Sequence, residues 1–144
     1  MARPKDVKYA ETHEWVKVDK KSEGTIGITD YAVAQLNDLV HIELPKVGSE
    51  VTAGQPFGEI ESVKTVSDLV SPVTGKIVAV NGINDDTLDK LAKSPFGDGW
   101  LIRVKVGDQN QIKSLMSDKE YDKFIKSSEH HDGGGSDDDG DDEA

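Results

Sequence analysis

The stretch of this chain best suited to chemistry is Glu61-Ser62-Val63-Lys64-Thr65-Val66-Ser67-Asp68. Lys64 stands between two short runs that alternate apolar with polar residues, "FGEIES" before it and "VSDLV" after it. Alternation of this kind predicts the two strands of a hairpin, with the lysine at the bend. Tight bends usually draw on Gly, Asn or Asp. Val63-Lys64-Thr65 supplies none of these, so the lysine itself is the feature to explain. The ordinary reading is a solvated loop lysine. Against it stand the flanking valines Val63 and Val66 and the nearby acids Glu61 and Asp68. A primary amine protruding from a rigid hairpin is what an acylating enzyme needs in order to attach a prosthetic group through an amide.

The rest of the sequence narrows the alternatives. There is no cysteine, which removes disulfides, thiolate metal sites and a cysteine nucleophile, so any sulfur chemistry must be imported. His13 and His41 have no serine or metal-ligand set around them in sequence and are expected to be structural. Trp15 and Trp100 are expected to supply buried area.

Net charge is −11 over 144 residues. Much of it comes from the end of the chain: from Ser127 onward there are acids and no Lys or Arg. The body is only mildly acidic and lacks the basic footprint that nucleic acid requires. No apolar run approaches the roughly 20 residues that span a bilayer, and no signal-peptide pattern opens the chain.

The elements that must position Lys64 are mostly strands. "EWVKVD", "GTIGITD", "DLVHIELP", "PFGEIES", "GKIVAVNG" and "GWLIRVKVG" alternate or nearly so, which predicts a small all-β barrel or sandwich. After the hairpin, "SPVTGK" predicts a second tight turn from Pro72 to Gly75. One short helix is expected in "TDYAVAQLND", capped by Thr29 or Asp30, with Ala32, Val33 and Leu36 on one side. A closing helix is expected in "SDKEYDKFIK", where Ser117 and Glu120 have capping-box spacing and Tyr121, Phe124 and Ile125 form the apolar stripe. Residues 1–126 therefore read as one domain, and 127–144 as a disordered Gly/Asp-rich tail. The tail's aspartates lack the twelfth-position glutamate of a calcium loop, and His130-His131 reads as a solvated pair.

With those residues on the page, "GEIESVKTVSDLVSPVTGKI" resembles the lipoyl-attachment segment of the glycine cleavage system H proteins, with Lys64 as the lipoate-bearing lysine. "KYAETHEWVKV", "GTIGITDYAVAQLNDLVHIELPKVG", "SPFGDGWLIRVKV" and "EYDKFI" are similar to that family in the same order, so the resemblance spans Val7 to about Ile125. Gly48, sixteen residues before Lys64, and Gly75, eleven after it, match the family's bend glycines. The approach to Gly99-Trp100 departs from the pattern: Ala92 lies near the usual Asn, Phe96 replaces the commoner Tyr, and the usual Pro is missing. The acidic tail is also outside it.

The resemblance implies a mainly β barrel-sandwich hybrid like those of lipoyl and biotinyl carriers, and a monomeric carrier without turnover of its own. It implies that a pyridoxal-phosphate glycine decarboxylase loads an aminomethyl group onto lipoyl-Lys64, and that a tetrahydrofolate-dependent aminomethyltransferase removes it. Dihydrolipoyl dehydrogenase then reoxidises the dithiol, and a separate enzyme attaches the lipoate. A bacterial cytoplasm is the implied compartment, or the mitochondrial matrix for a processed form. On this basis an acidic, partly dry cleft is expected to shelter the arm's cationic end, formed by Glu14, Asp68 and the hydroxyl of Thr12. Lipoyl domains of 2-oxoacid dehydrogenase complexes and biotinyl carrier domains are the alternatives. The first usually sit in longer chains and lack the HEW segment, and the second usually bracket their lysine with methionines.

Overall fold

The computed structural model describes residues 3–132, and the side chains of 128–132 lie outside the described set along with 133–144. Among the described residues, nine strands form two antiparallel sheets. The larger sheet runs in the order β1 (Lys8–Tyr9), β2 (Glu14–Val18), β3 (Glu23–Ile28), β9 (Ile102–Val106), β8 (Gly75–Val80) and β5 (Glu50–Val51). The smaller is β4 (Leu39–Glu43), β6 (Pro56–Ser62) and β7 (Val66–Val70). The expected mainly β, barrel-sandwich class is what the chain adopts.

The six alternating segments are all strands because each has one face to bury. Ile42 pairs with Ile60 across β4 and β6, and both side chains enter the core with Leu69 of β7. Ile26, Ile77, Ile102 and Val104 meet them from the larger sheet.

The two expected helices form. In α1 (Asp30–Leu36), the Thr29 hydroxyl accepts from the Ala32 N–H at 3.2 Å, and Ala32, Val33 and Leu36 pack on the core. In α4 (Asp118–Asp132), the Ser117 N–H donates to the Glu120 carboxylate at 2.8 Å and the Glu120 N–H to the Ser117 hydroxyl at 3.2 Å, the reciprocal capping box. The tail boundary expected after Lys126 falls inside α4, which continues to Asp132. The remainder of the expected tail lies outside the described residues.

Three differences from the sequence reading have clear causes. The segment Pro72 to Gly75 is a crossing between sheets, since β7 ends in the smaller sheet and β8 begins in the larger. The buried Ser71 hydroxyl, which accepts from the Val73 N–H at 3.3 Å and donates to the Val73 carbonyl at 2.5 Å, shapes that crossing. Two further short helices also appear, α2 (Leu88–Lys93) and α3 (Asn110–Lys113). They are too short for a helical period to show: α2 buries only Leu88 and Leu91, and α3 buries nothing fully.

The approach to Gly99-Trp100, which departs from the family pattern, is tied down by Trp15. Its indole N–H faces the carbonyls of Ile28 at 3.1 Å and Pro95 at 3.0 Å, and its ring lies 5.8 Å from that of Phe96. Trp15 is buried as expected. Trp100 is only partly buried, with the Arg103 guanidinium 4.8 Å over its ring.

Candidate functional site

The β6–β7 hairpin carries Lys64 at its tip. Glu59 pairs with Asp68, Ile60 with Ser67 and Glu61 with Val66, and the Ser62 N–H donates to the Thr65 carbonyl at 2.8 Å. Val63 and Lys64 are the two residues beyond that last rung. Neither has a positive φ, so the bend is not of the glycine-requiring kind. Its geometry is fixed by the buried Ser62 hydroxyl, which lies 3.3 Å from both the Lys64 and Thr65 amide nitrogens and accepts from them. The Val63 N–H reaches out to the Asp38 carbonyl at 3.0 Å and ties the tip to the start of β4. A serine two residues ahead of the lysine does what a turn glycine usually does.

Above this scaffold Lys64 is exposed, and its ammonium makes no ion pair among the described residues. Val63 and Val66 beside it are 70% and 53% exposed. Val40, the unpaired residue of a bulge in β4, is also exposed.

Register puts further groups on the same outer face. Glu43, Glu59 and Asp68 form one row across the three strands, and His41, Glu61 and Val66 form the next. Opposite-facing residues such as Ile42 and Ile60 are the buried ones. His41 is a charged clamp, neither a general base nor a buried group. Its Nδ1 lies 2.9 Å from both Asp85 oxygens and its Nε2 3.1 Å from Glu43, and these two carboxylates push its pKa up to about 9. Asp85 also accepts from the Ile42 N–H at 3.1 Å, which fastens β4 to the loop before α2.

Of the three expected cleft residues, two meet. Glu14 opens β2 at 1% exposure. The Thr12 hydroxyl donates to its Oε1, and the Val70 N–H on β7 donates to its Oε2 at 3.0 Å. Burial pushes the Glu14 carboxyl up to about 7, against the downward pull of those bonds. Asp68 makes no hydrogen bond to either. It is exposed on β7 two residues before Val70, on the outer face, and it does not cap its own backbone. The acid thus sits where the larger sheet touches the free edge of the lysine-bearing hairpin.

The two glycines noted from sequence have different reasons. Gly48 has φ +95°, a left-handed bend. Gly75 is needed for close approach: a Cβ there would lie 2.1 Å from the Lys105 carbonyl oxygen.

Sequence reasoning missed the support behind the Thr12–Glu14 turn. His13 has φ +75°, and its Nδ1 lies 2.7 Å from the Tyr121 hydroxyl of α4, which in turn lies 2.7 Å from the Thr29 hydroxyl. Residues 108 positions apart give no local signal of such a contact. Among the described residues, no group of three or more His, Asp or Glu side chains could hold a metal ion.

Known proteins resemble this chain over most of its length. The glycine cleavage H-protein family model matches residues 7–128. The glycine cleavage system H protein of Halalkalibacterium halodurans is 49% identical over 122 residues, covering 85% of this chain and 94% of that one. That of Listeria monocytogenes is 47% identical over 125 residues, covering 87% and 99%. A crystal structure of a glycine cleavage system H protein from Mycobacterium marinum superposes with a TM-score of 0.73 at 36% identity, covering 88% of this chain and 99% of that one.

Proposed function

The chain belongs to the glycine cleavage H-protein family, and on that premise we propose that it is the lipoyl-bearing carrier of the glycine cleavage system, with lipoate in amide linkage to Lys64. The observation that carries the reading is a solvent-facing, unpaired amine on a tip held by Ser62 and Asp38. Lipoate would supply the disulfide ring that this cysteine-free chain lacks, accepting the aminomethyl group from the pyridoxal-phosphate decarboxylase and yielding it to the tetrahydrofolate-dependent aminomethyltransferase before reoxidation by dihydrolipoyl dehydrogenase.

The residues fit such a group. The amine is accessible to an attaching enzyme, and Val63 and Val66 offer apolar surface to an acyl chain. The chain itself provides position and shelter without catalysing a turnover step, acting as a monomer. The bacterial relatives support a bacterial cytoplasm as its setting; a processed form in a mitochondrial matrix would meet the same partners.

Glu14, Thr12 and Asp68 then have defined parts. On the outer face, the Asp68 carboxylate would help hold a cationic amine on the arm. Glu14 lies beyond, and near neutral pH it holds a proton for part of the time. A cation beside it would favour the carboxylate, whose oxygens the Thr12 hydroxyl and Val70 N–H hold in place.

Two experiments test this reading. Intact mass of protein isolated from its native host distinguishes a lipoyl adduct at Lys64 from a biotinyl adduct or none; a bare lysine overturns it. Lys64→Arg keeps the charge but cannot be acylated in this way, and it should abolish glycine-dependent transfer while leaving the melting temperature within about 1 °C. For the cleft, Glu14→Ala and Asp68→Ala should shorten the lifetime of the loaded arm, and unchanged lifetimes would remove these residues from the account.

A further inference from the structure

The turn between β1 and β2 that presents Thr12 and Glu14 is a three-residue loop, 11–13, closed by the Ala10–Glu14 pair. The His13 N–H donates to the Ala10 carbonyl at 2.9 Å and the Ala10 N–H to the Glu14 carbonyl at 2.8 Å. This is the hairpin geometry in which the last loop residue takes a left-handed conformation, a place glycine fills at least strain. Here it is His13, at φ +75°. A bulky residue at this position calls for a reason in its side chain.

That side chain is gripped by α4. Its Nδ1 meets the Tyr121 hydroxyl at 2.7 Å, and its ring lies 4.9 Å from that of Tyr31 and 6.0 Å from that of Phe124. Tyr121 is fully buried and stacks on Tyr9 of β1 at 4.8 Å. Its hydroxyl has a second partner in Thr29, the cap of α1, whose backbone N–H donates to the His13 carbonyl at 3.0 Å. One phenol oxygen therefore joins the site turn, the end of β3 and the closing helix.

We propose that Tyr121 is a positioning residue: its hydroxyl holds the His13 ring and thereby locks the left-handed turn that aims Thr12 and Glu14 at the edge of β7. The inference deepens, and rests on, the arm-docking role given to Thr12 and Glu14. Its structural test is independent of that role. The charged group facing His13 is Arg3, itself bonded to Asp30 of α1 at 2.8 Å and Asp122 of α4 at 2.6 Å. Glu14 faces neutral groups, the Thr12 hydroxyl, the Val70 N–H and its own backbone N–H. Its titration is thus a clean report on how well the turn is closed.

The experiment follows the Glu14 carboxyl by carbon NMR through a pH titration of the full unlipoylated chain. The wild-type midpoint is expected near 7. Tyr121→Phe deletes the tether and keeps the ring. His13→Ala deletes it from the other end and keeps the Cβ that strains the left-handed turn. Both should lower the midpoint by about one unit or more as water reaches the carboxylate. Ile125→Val removes one methyl from the α4 contact without touching a polar group, so it weakens helix packing and should leave the midpoint in place. An unmoved midpoint in Tyr121→Phe or His13→Ala, or an equal fall in Ile125→Val, overturns the proposal. On lipoylated and loaded protein, Tyr121→Phe should also shorten the lifetime of the arm. A lowered midpoint with an unchanged lifetime upholds the tether and removes the docking role.

Discussion

Glu14 keeps a proton at pH values where an exposed carboxylate has lost its own. Its ordinary value of 4.5 is raised to about 7 in the folded protein by burial. Between those limits the folded state binds more protons than the unfolded one, so stability falls as pH rises through the interval, by about 3 kcal/mol in all. Glu14→Gln keeps both contacts: the amide carbonyl can accept from the Val70 N–H, and the NH2 can donate to the Thr12 hydroxyl. Urea unfolding at pH 5 and pH 8 should show the wild type losing about 3 kcal/mol more than this variant. Equal losses would mean that the acid is solvated after all. The sequence disclosed that an acid sits here, but not that it is buried, because its burying partner, the Val70 backbone, is 56 residues away. Asp68 was expected beside it and instead faces outward, since strand parity puts it on the outer row with Glu59.

At the scale of elements, strands were legible and their assembly was not. Alternation in "GKIVAVNG" or "EWVKVD" follows from having one buried face, a local property. Whether "SPVTGK" turns a hairpin or carries the chain to another sheet depends on what lies across from Gly75, which is Val106 on β9, with the Lys105 carbonyl in close approach. The sheet crossing predicts a contrast between two glycines. At Gly75→Ala the new methyl meets the Lys105 carbonyl oxygen, within a paired ladder that cannot give way, and should cost about 3 kcal/mol. At Gly48→Ala no heavy atom lies within 4 Å, so only the strain of φ +95° remains, about 1 kcal/mol. Chemical denaturation midpoints measure both, and equal costs would contradict the close approach. Helices α2 and α3 escaped notice because four to six residues cannot display a 3.6-residue period.

For the whole molecule, His41 and Glu14 both withdraw stability as pH rises. His41 is raised from 6.5 to about 9 by Asp85 and Glu43, so its contribution is complete below about 6.5 and is lost as pH rises through 9. Glu14 gives a loss in the same direction at lower pH. His13, lowered by burial, acts oppositely, favouring the folded state above its ordinary 6.5 and weakening it as pH falls. Lowered carboxylates such as Asp6 and Glu120 withdraw support only in acid. Melting temperature should therefore peak on the mildly acidic side and decline towards pH 9. His41→Gln should flatten the upper part of that decline and Glu14→Gln the lower part; a profile unchanged by His41→Gln would show the clamp to be energetically silent.

The tip around Lys64 contains no glycine and is pinned by the Ser62 hydroxyl and the Asp38 carbonyl. Any long appendage on that amine consequently pivots about a fixed point, and its sweep comes from its own rotatable bonds. Its free end explores a hemisphere anchored to the protein surface. The contest between folding back onto β7 and entering another active site becomes one of local concentration against chain entropy, with the backbone contributing nothing to either side.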